Sequence, residues 1–199
     1  MFILKLICLL PFIAYTLGGL ASNATTHTPS TETNGFNYFG AIAAVQVVPS
    51  NGQTRLYFQN SDNSIQETAV TAPFVVGNNG GSDLLVPAQQ VLQGTPIAAT
   101  LVDASFSEIH VYFFSPSNIL SEYIYSDAAA AWRGGASCSD CIDRLNIAVQ
   151  PGSRMLYAMG STALSNGRLR VGFVSAETPG TVTEADYANG AGWRFTPLQ

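Results

Sequence analysis

Lysine is almost absent from this sequence, and histidine and cysteine are scarce. Lys5 is the only lysine among 199 residues, so the rest of the chain carries its positive charge on seven arginines. Charged residues make up 11% of the chain and the formal net charge is -5, which excludes the basic excess of a nucleic-acid-binding protein. Hydrophobic residues make up 47%, so the chain also lacks the composition of a disordered protein, and we expect it to fold.

The first 21 residues have the pattern of a secretion signal. Lys5 precedes an apolar run, and Gly19 and Ala21 are small residues at the -3 and -1 positions of a signal-peptidase site. A membrane anchor is the alternative, but Pro11 interrupts the run, which is short against the roughly 20 residues that a span needs. We predict a signal peptide over 1–21 and a secreted, extracellular protein without membrane insertion once the signal is removed.

A Ser/Thr-rich leader follows the predicted signal. Residues 22–36 contain one proline and many hydroxyl side chains, a composition typical of a flexible, O-glycosylated segment. Asn23 begins the only N-glycosylation sequon of the chain. We expect packed structure to begin near residue 37.

Two cysteines remain after Cys8 leaves with the signal. Cys138 and Cys141 have the spacing C-S-D-C, for which a local disulfide is the first expectation in an oxidising compartment. A metal site lacks partners because His27 and His110 are the only histidines, and a thioredoxin-like redox pair would need a βαβ setting. We therefore predict no metal and no cofactor.

The chain has no long stretch with a 3.6-residue apolar period, and its apolar residues instead form short strands that repeat. GAIAAVQVV (40–48), TPIAATLVD (95–103) and MLYAMGSTA (155–163) precede TRLYFQ, EIHVYFF and RLRVGFV by a constant step of 13 residues. A turn and a third strand follow each pair. Alternation, aromatic and β-branched content, and turn residues at the joints predict an all-β chain.

A repeat of 55 to 60 residues with strands of this kind is typical of one β-propeller blade. We predict three four-stranded blades over 37–95, 96–144 and 145–199, which together form one propeller-like domain. Propellers usually close with about four to eight blades, so three blades leave two apolar sheet faces open. A homodimer that completes a six-bladed ring would cover them; an incomplete or rearranged gene product is the alternative.

Each blade has a cationic side chain and, twelve or fourteen residues later, a glutamate. In an antiparallel hairpin centred on residue 61, Arg55 and Glu67 would face each other. As a structural feature alone, such an exposed ion pair is worth about 0.2 to 1 kcal/mol. The three pairs are Arg55 with Glu67, His110 with Glu122, and Arg170 with Glu184.

Aromatic residues follow two of these glutamates at fixed distances. Tyr125 and Tyr187 come three residues after a glutamate, and Trp132 and Trp193 come ten and nine residues after it. An arginine fork, a carboxylate and an indole face are the parts of a sugar site, because the polar groups bind hydroxyls and the ring covers C–H groups. The alternative is that the tryptophans only fill the core between blades.

Three segments resemble the blades of a known lectin family. RLYFQNSDNSIQE, HVYFFSPSNILSEYIY with WRGG after it, and LRVGF with TVTEADYANGAGW are similar to blades of the fungal fucose-specific lectins of the Aleuria type. The likeness covers 37–199, and its best motif is R-x-Y-[FY]-Q, a turn, and I-x-E. The resemblance implies a six-bladed propeller with inter-blade sites that bind L-fucose or fucosylated glycans without metal or catalysis.

The resemblance also implies which residues form the sugar sites. The first inter-blade site is complete, with Arg55, Glu67, Tyr125 and Trp132. The second would use His110, Glu122, Tyr187 and Trp193, and the loss of the arginine fork makes it weak or pH-dependent.

A third site would contain Arg170 and Glu184 but needs aromatics from a blade outside this chain. If a second copy closed the ring, Val70 would stand where the tyrosine is expected, and Phe74 would be the nearest ring. We therefore expect this third site to be incomplete.

Two other function classes compete with a lectin. A propeller glycosidase needs a carboxylate pair about 5 to 9 Å apart, but each proposed site has one glutamate, already engaged with a cation. The remaining acids Asp62, Asp103, Asp127 and Asp186 form no evident pair, so we predict that the protein is not an enzyme. An interaction or effector protein with degenerate sugar sites would explain His110 and the missing aromatics beside Arg170.

Overall fold

Short strands joined by tight turns build the part of the chain that the structure describes. This computed structural model describes residues 38–47, 52–161, 169–188 and 191–199, all within one compact unit over 34–199. The predicted signal peptide, the leader and the Asn23 sequon lie outside the described residues. The blade limits at 95 and 144 stay a prediction.

The described strands form three antiparallel four-stranded sheets, each with its strands in chain order. The first sheet contains β1 (Tyr38–Gln46), β2 (Thr54–Asn60), β3 (Ile65–Val70) and β4 (Asn79–Val86). The second contains β5 (Ala98–Leu101), β6 (Glu108–Phe114), β7 (Leu120–Ser126) and β8 (Ala131–Gly134). The third contains β9 (Leu156–Gly160), β10 (Leu169–Phe173), β11 (Thr183–Ala188) and β12 (Gly192–Pro197). Two short 3-10 helices cover Ala88–Gln90 and Ile142–Leu145. The predicted all-β fold with three four-stranded sheets is confirmed.

Both faces of the second sheet are buried, which explains the continuous apolar sequence of β6. Successive residues of a strand point to opposite faces, so Val111 and Phe113 enter the core shared with the first sheet. Tyr112 and Phe114 enter the core shared with the third sheet. The sheets are therefore packed face to face, in the order first, second, third.

The hairpin between β2 and β3 corrects the predicted register. The Asn60 N–H donates to the Ser64 carbonyl and Asn63 adopts a left-handed conformation with φ of 73°. This turn pairs Tyr57 with Glu67 and leaves Arg55 opposite Ala69, so the prediction that Arg55 and Glu67 face each other about residue 61 is wrong by two residues. A shift of two keeps every side chain on its face, so Arg55 and Glu67 still meet diagonally.

The buried amide of Gln59 fastens this hairpin to the next sheet. Its Nε2 donates to the carbonyls of Asn63 and Leu92, and its Oε1 accepts the Gly94 N–H. A fully buried amide needs such partners. Gln59 thereby fixes the turn after β2 against the connection that leads into the second sheet.

Candidate functional site

A cavity of about 460 Å³ lies between the first and second sheets. Arg55 and Glu67 enter it from the first sheet, and Tyr125 and Trp132 enter it from the second. The sequence thus predicted four residues that the fold brings to one cavity. Its other lining residues are Ser105, Phe106, Ser107, Ile109 and Asp127.

Glu67 is the centre of a polar network on the first-sheet wall. The Tyr57 hydroxyl donates to Glu67 Oε1 at 3.1 Å, and Arg55 Nε lies 3.6 Å from the same oxygen. Burial raises the pKa of Glu67 above its usual value, although the Tyr57 hydroxyl, the Arg55 guanidinium and the Trp132 indole each act to lower it. The carboxylate is therefore held in place while part of it stays exposed to the cavity.

Arg55 keeps most of its donors available. Its guanidinium lies over the Phe106 ring, with Cζ 4.5 Å from the ring centroid, and among the described residues its only polar contact is the long one to Glu67. An arginine has five N–H donors in a planar fork, which suits two neighbouring hydroxyls. Phe106 was not predicted as a site residue, because its only signal in the sequence is that it is an aromatic residue in an otherwise Asp/Ser-rich turn before β6.

The opposite wall is aromatic. Tyr125 and Trp132 are directly paired across β7 and β8, and their ring centroids are 5.5 Å apart. Trp132 also meets the buried Tyr57 ring edge to face at 6.0 Å. The indole therefore both packs on the inter-sheet core and lines the cavity, so the core-filling and site-forming interpretations hold together.

A second cavity, of about 240 Å³, lies between the second and third sheets. It contains the predicted residues His110, Glu122, Tyr187 and Trp193. Tyr187 and Trp193 are again a cross-strand pair, with ring centroids 5.3 Å apart. The other lining residues are Glu108, Ile124, Arg133, Asp140 and Leu169.

His110 is bound on both ring nitrogens. Nδ1 lies 2.6 Å from Glu122 Oε1 and Nε2 lies 2.9 Å from Glu108 Oε1, and the imidazole is only 5% exposed. Burial lowers the pKa of His110, but the hydrogen bonds and charges of Glu108 and Glu122 outweigh it and raise the pKa above 6.5. His110 has no ring donor left for a ligand, which is a stronger limitation than the loss of the arginine fork alone.

Glu122 is tied to the segment that carries the disulfide. Its Oε2 accepts the Ile142 N–H at 2.8 Å, and its own N–H donates to Asp143 Oδ2 at 2.8 Å. The expected disulfide between Cys138 and Cys141 is present directly before this helical turn. The disulfide therefore helps to position the acid beside the second cavity.

The third pair, Arg170 and Glu184, is on the face of the third sheet that points away from the second. Arg170 Nε and Nη2 donate to the two Glu184 oxygens at 2.9 and 2.7 Å, and Tyr157 donates to Oε2 at 2.8 Å. No aromatic pair from another sheet covers it among the described residues. Val70 lies at the end of β3, in the first sheet. Phe74 lies in the loop after β3 and is 78% exposed.

Within the described ranges, no group of three or more His, Cys, Asp or Glu side chains is arranged to hold a metal ion. In the same part of the chain, none of the helices has the length and apolarity needed to cross a membrane.

The sequence is similar to known lectins. No protein-family model matches the chain. It is 30% identical over 152 residues to the fucose-specific lectin of Aspergillus oryzae, in a match that covers 75% of this chain and 43% of that lectin. The chain thus spans somewhat less than half the length of the curated relatives that it matches.

Solved structures share the fold. AofleA from Arthrobotrys oligospora superposes with a TM-score of 0.63 at 22% identity, over 82% of this chain and 43% of that one. The six-bladed β-propeller lectin of Aleuria aurantia gives 0.56 at 21%, over 79% and 44%. SapL1 lectin, solved with alpha-methyl fucoside, gives 0.57 at 28%, over 79% and 48%. The resemblance to the fungal fucose-specific lectins is confirmed, with this chain matching about half of a propeller.

Proposed function

Because this chain resembles the fungal fucose-specific lectins in sequence and in fold over about half of their length, we propose that it is a carbohydrate-binding lectin for L-fucose or fucosylated glycans. The observation that carries the proposal is the first cavity. There, a guanidinium with unused donors, a fixed carboxylate and a tyrosine–tryptophan wall meet across one sheet junction.

Binding in this cavity would use complementary parts of a sugar ring. The Arg55 fork donates to two hydroxyl oxygens, and Glu67 accepts a hydrogen bond from a hydroxyl. Trp132 and Tyr125 cover the apolar C–H face of the ring, from which they displace water. The chemistry needs neither a metal nor a group that changes the sugar, so we propose that the protein binds glycans and does not catalyse a reaction on them.

The wider biology is part of the same proposal. We propose that residues 1–21 direct secretion, so that the lectin meets glycans outside the cell. A homodimer that closes a six-bladed ring would cover the outer faces of the first and third sheets. The second candidate function, an effector that binds a protein through these faces, is supported by the exposed Ile42 and Leu84 on the first sheet.

The two tryptophans of the sequence allow ligand binding to each cavity to be measured separately by fluorescence, since Trp132 lines the first cavity and Trp193 lines the second. In a Trp193→Phe background, Trp132 fluorescence is titrated with alpha-methyl fucoside. We expect a saturable change, and Arg55→Ala and Glu67→Ala should each weaken binding about tenfold to hundredfold, or roughly 1.5 to 3 kcal/mol.

Arg194→Ala is the matched control, because Arg194 forms an exposed ion pair with Asp186 on the third sheet. It should leave the Trp132 response unchanged. Unfolding temperatures of all variants show whether each protein is folded. A folded Trp193→Phe protein that gives no response to fucoside or to a fucosylated glycan panel would contradict sugar binding in the first cavity, the observation on which the proposed function rests.

A further inference from the structure

The dipeptide Trp-Arg occurs twice in the chain, at 132–133 on β8 and at 193–194 on β12. Successive residues of a strand point to opposite faces of the sheet. Each dipeptide therefore places an indole on the face toward the preceding sheet and a guanidinium on the other face. Trp132 lines the first cavity, and Arg133 accordingly lines the second.

Arg133 and His110 are level with each other across the second sheet. His110 on β6 faces Ile124 on β7, and Ile124 faces Arg133 on β8. The guanidinium thus lies in the same cross-strand row as the histidine, two strands further out. The first sheet has no such residue, because its β3–β4 ladder is irregular between Thr68 and Val70, beside Ala69, which faces Arg55.

The third sheet shows what a fully paired arginine at this position looks like. Its row is Arg170, Asp186 and Arg194, and Arg194 Nη2 lies 2.6 Å from Asp186 Oδ2. In the second sheet the middle position is the apolar Ile124. Among the residues that the structure describes, Arg133 has only Asp140 as a polar partner, at 3.6 Å, and the two side chains are 45% and 63% exposed. The guanidinium facing the second cavity is therefore loosely held.

We propose that Arg133 is the sugar-binding cation of the second cavity, in place of His110. It donates to the hydroxyls of a fucose-type sugar that packs against Tyr187 and Trp193. His110, bound on both sides by Glu108 and Glu122, holds that wall together and does not contact the ligand. This assignment rests on the proposed lectin function. It gives the second cavity a sugar-binding cation, since the expected one, His110, is bound to Glu108 and Glu122.

The test measures Trp193 fluorescence in a Trp132→Phe background during titration with alpha-methyl fucoside. We expect a saturable response that Arg133→Ala weakens about tenfold to hundredfold and that Arg133→Lys, which keeps the charge without the fork, weakens less. Arg194→Ala, the equivalent position in the third sheet, should have no effect. As a second measurement, calorimetry should give two sugars per wild-type chain, and in Arg133→Ala one of the two sites should be weakened about tenfold to hundredfold while the other is unchanged.

The outcomes separate this assignment from the proposed function. If Trp132 responds in the Trp193→Phe protein but Trp193 does not respond in a folded Trp132→Phe protein, the second cavity binds no fucoside and the assignment fails while the lectin function stands. If Trp193 responds equally in Arg133→Ala and its parent, Arg133 is not the cation. If neither tryptophan responds, the lectin function itself fails.

Discussion

The scarcity of positive charge makes the partners of each arginine informative. Arg170 and Arg194 are held by carboxylates at 2.7 and 2.6 Å, and both are on the outer face of the third sheet. Arg55 and Arg133 have their nearest carboxylate at 3.6 Å, and these two line the inter-sheet cavities. Of these four arginines, the two with donors to spare are thus the ones that line the cavities.

Each glutamate has a tyrosine in its cross-strand row, and in the third sheet this tyrosine has changed strands. In the first two sheets Tyr57 and Tyr112 are on the second strand, facing alanines 43 and 98 of the first strand. In the third sheet the pair is reversed, with Tyr157 on β9 facing Gly172 on β10. A Cβ at Gly172 would lie 1.9 Å from a Tyr157 ring carbon, so the glycine makes room for the ring.

Gly172→Ala should therefore push the Tyr157 ring away from Glu184 and lower stability by about 1 kcal/mol, the value of one hydrogen bond. For a chain of this size the unfolding temperature should fall by about 2–4 °C. Gly180→Ala is the control, because no atom lies within 4 Å of its added Cβ. The double change Tyr157→Ala with Gly172→Tyr recreates the arrangement of the other sheets and should recover the loss. No recovery would mean that the exchange is not compensatory.

His110 should make stability depend on pH. The charged groups facing it are Glu108 and Glu122, and the Tyr112 ring stacks beside it at 6.2 Å. Because its folded pKa is raised, the stabilisation is complete below the unfolded value near 6.5 and is lost as pH rises through the folded pKa. The unfolding temperature of wild type should exceed that of His110→Gln most below pH 6.5, and the gap should narrow as pH rises above it. A constant gap would contradict the prediction.

At the scale of elements, the strands and their faces could be predicted from sequence, whereas the register could not. Period-two alternation fixes which side chains share a face, so Arg55 and Glu67 were correctly placed together. The exact partner depends on the turn, and the left-handed Asn63 moves it by two residues. Phe106 and Arg133 were missed because a turn residue and an outer-strand residue reach the cavities only once the sheets are stacked.

The disulfide closes the loop directly before the 3-10 helix whose Ile142 N–H binds Glu122. Replacing both Cys138 and Cys141 with serine should cost about 2 kcal/mol, since the closed loop is short, and should lower the unfolding temperature by about 4–8 °C. Reducing the wild type should reproduce this loss and should not affect the double variant. The fucoside response of Trp132 should persist, because the disulfide loop is next to the second cavity. Loss of the Trp132 response would contradict a local role.

At the scale of the whole molecule, the three sheets are stacked in the same orientation, with their glutamate-bearing faces all on the same side. Glu67 faces the second sheet and Glu122 faces the third. In the same orientation, Glu184 and Arg170 lie on the outer face of the third sheet. The outer face at the other end of the stack belongs to the first sheet. On that face Leu84 is paired with Gln66 and lies in the same cross-strand row as Ile42. Leu84 is 61% exposed and Ile42 is 55% exposed. One end of the stack is therefore apolar and the other carries ion pairs.

Two copies arranged head to tail would place the apolar end of each against the Glu184 end of the other and close a ring of six sheets. The mass of the chain in solution, measured by light scattering, should then be twice that of one copy. Leu84→Lys should shift the protein to single copies, because each buried leucine contributes about 1.5–3 kcal/mol and the ring contains two such contacts. Leu145→Lys, on the 3-10 helix after the second sheet, is the control and should stay dimeric. If the unmodified chain has the mass of one copy, ring closure by dimerisation is wrong, and the open faces become the place to look for a protein partner.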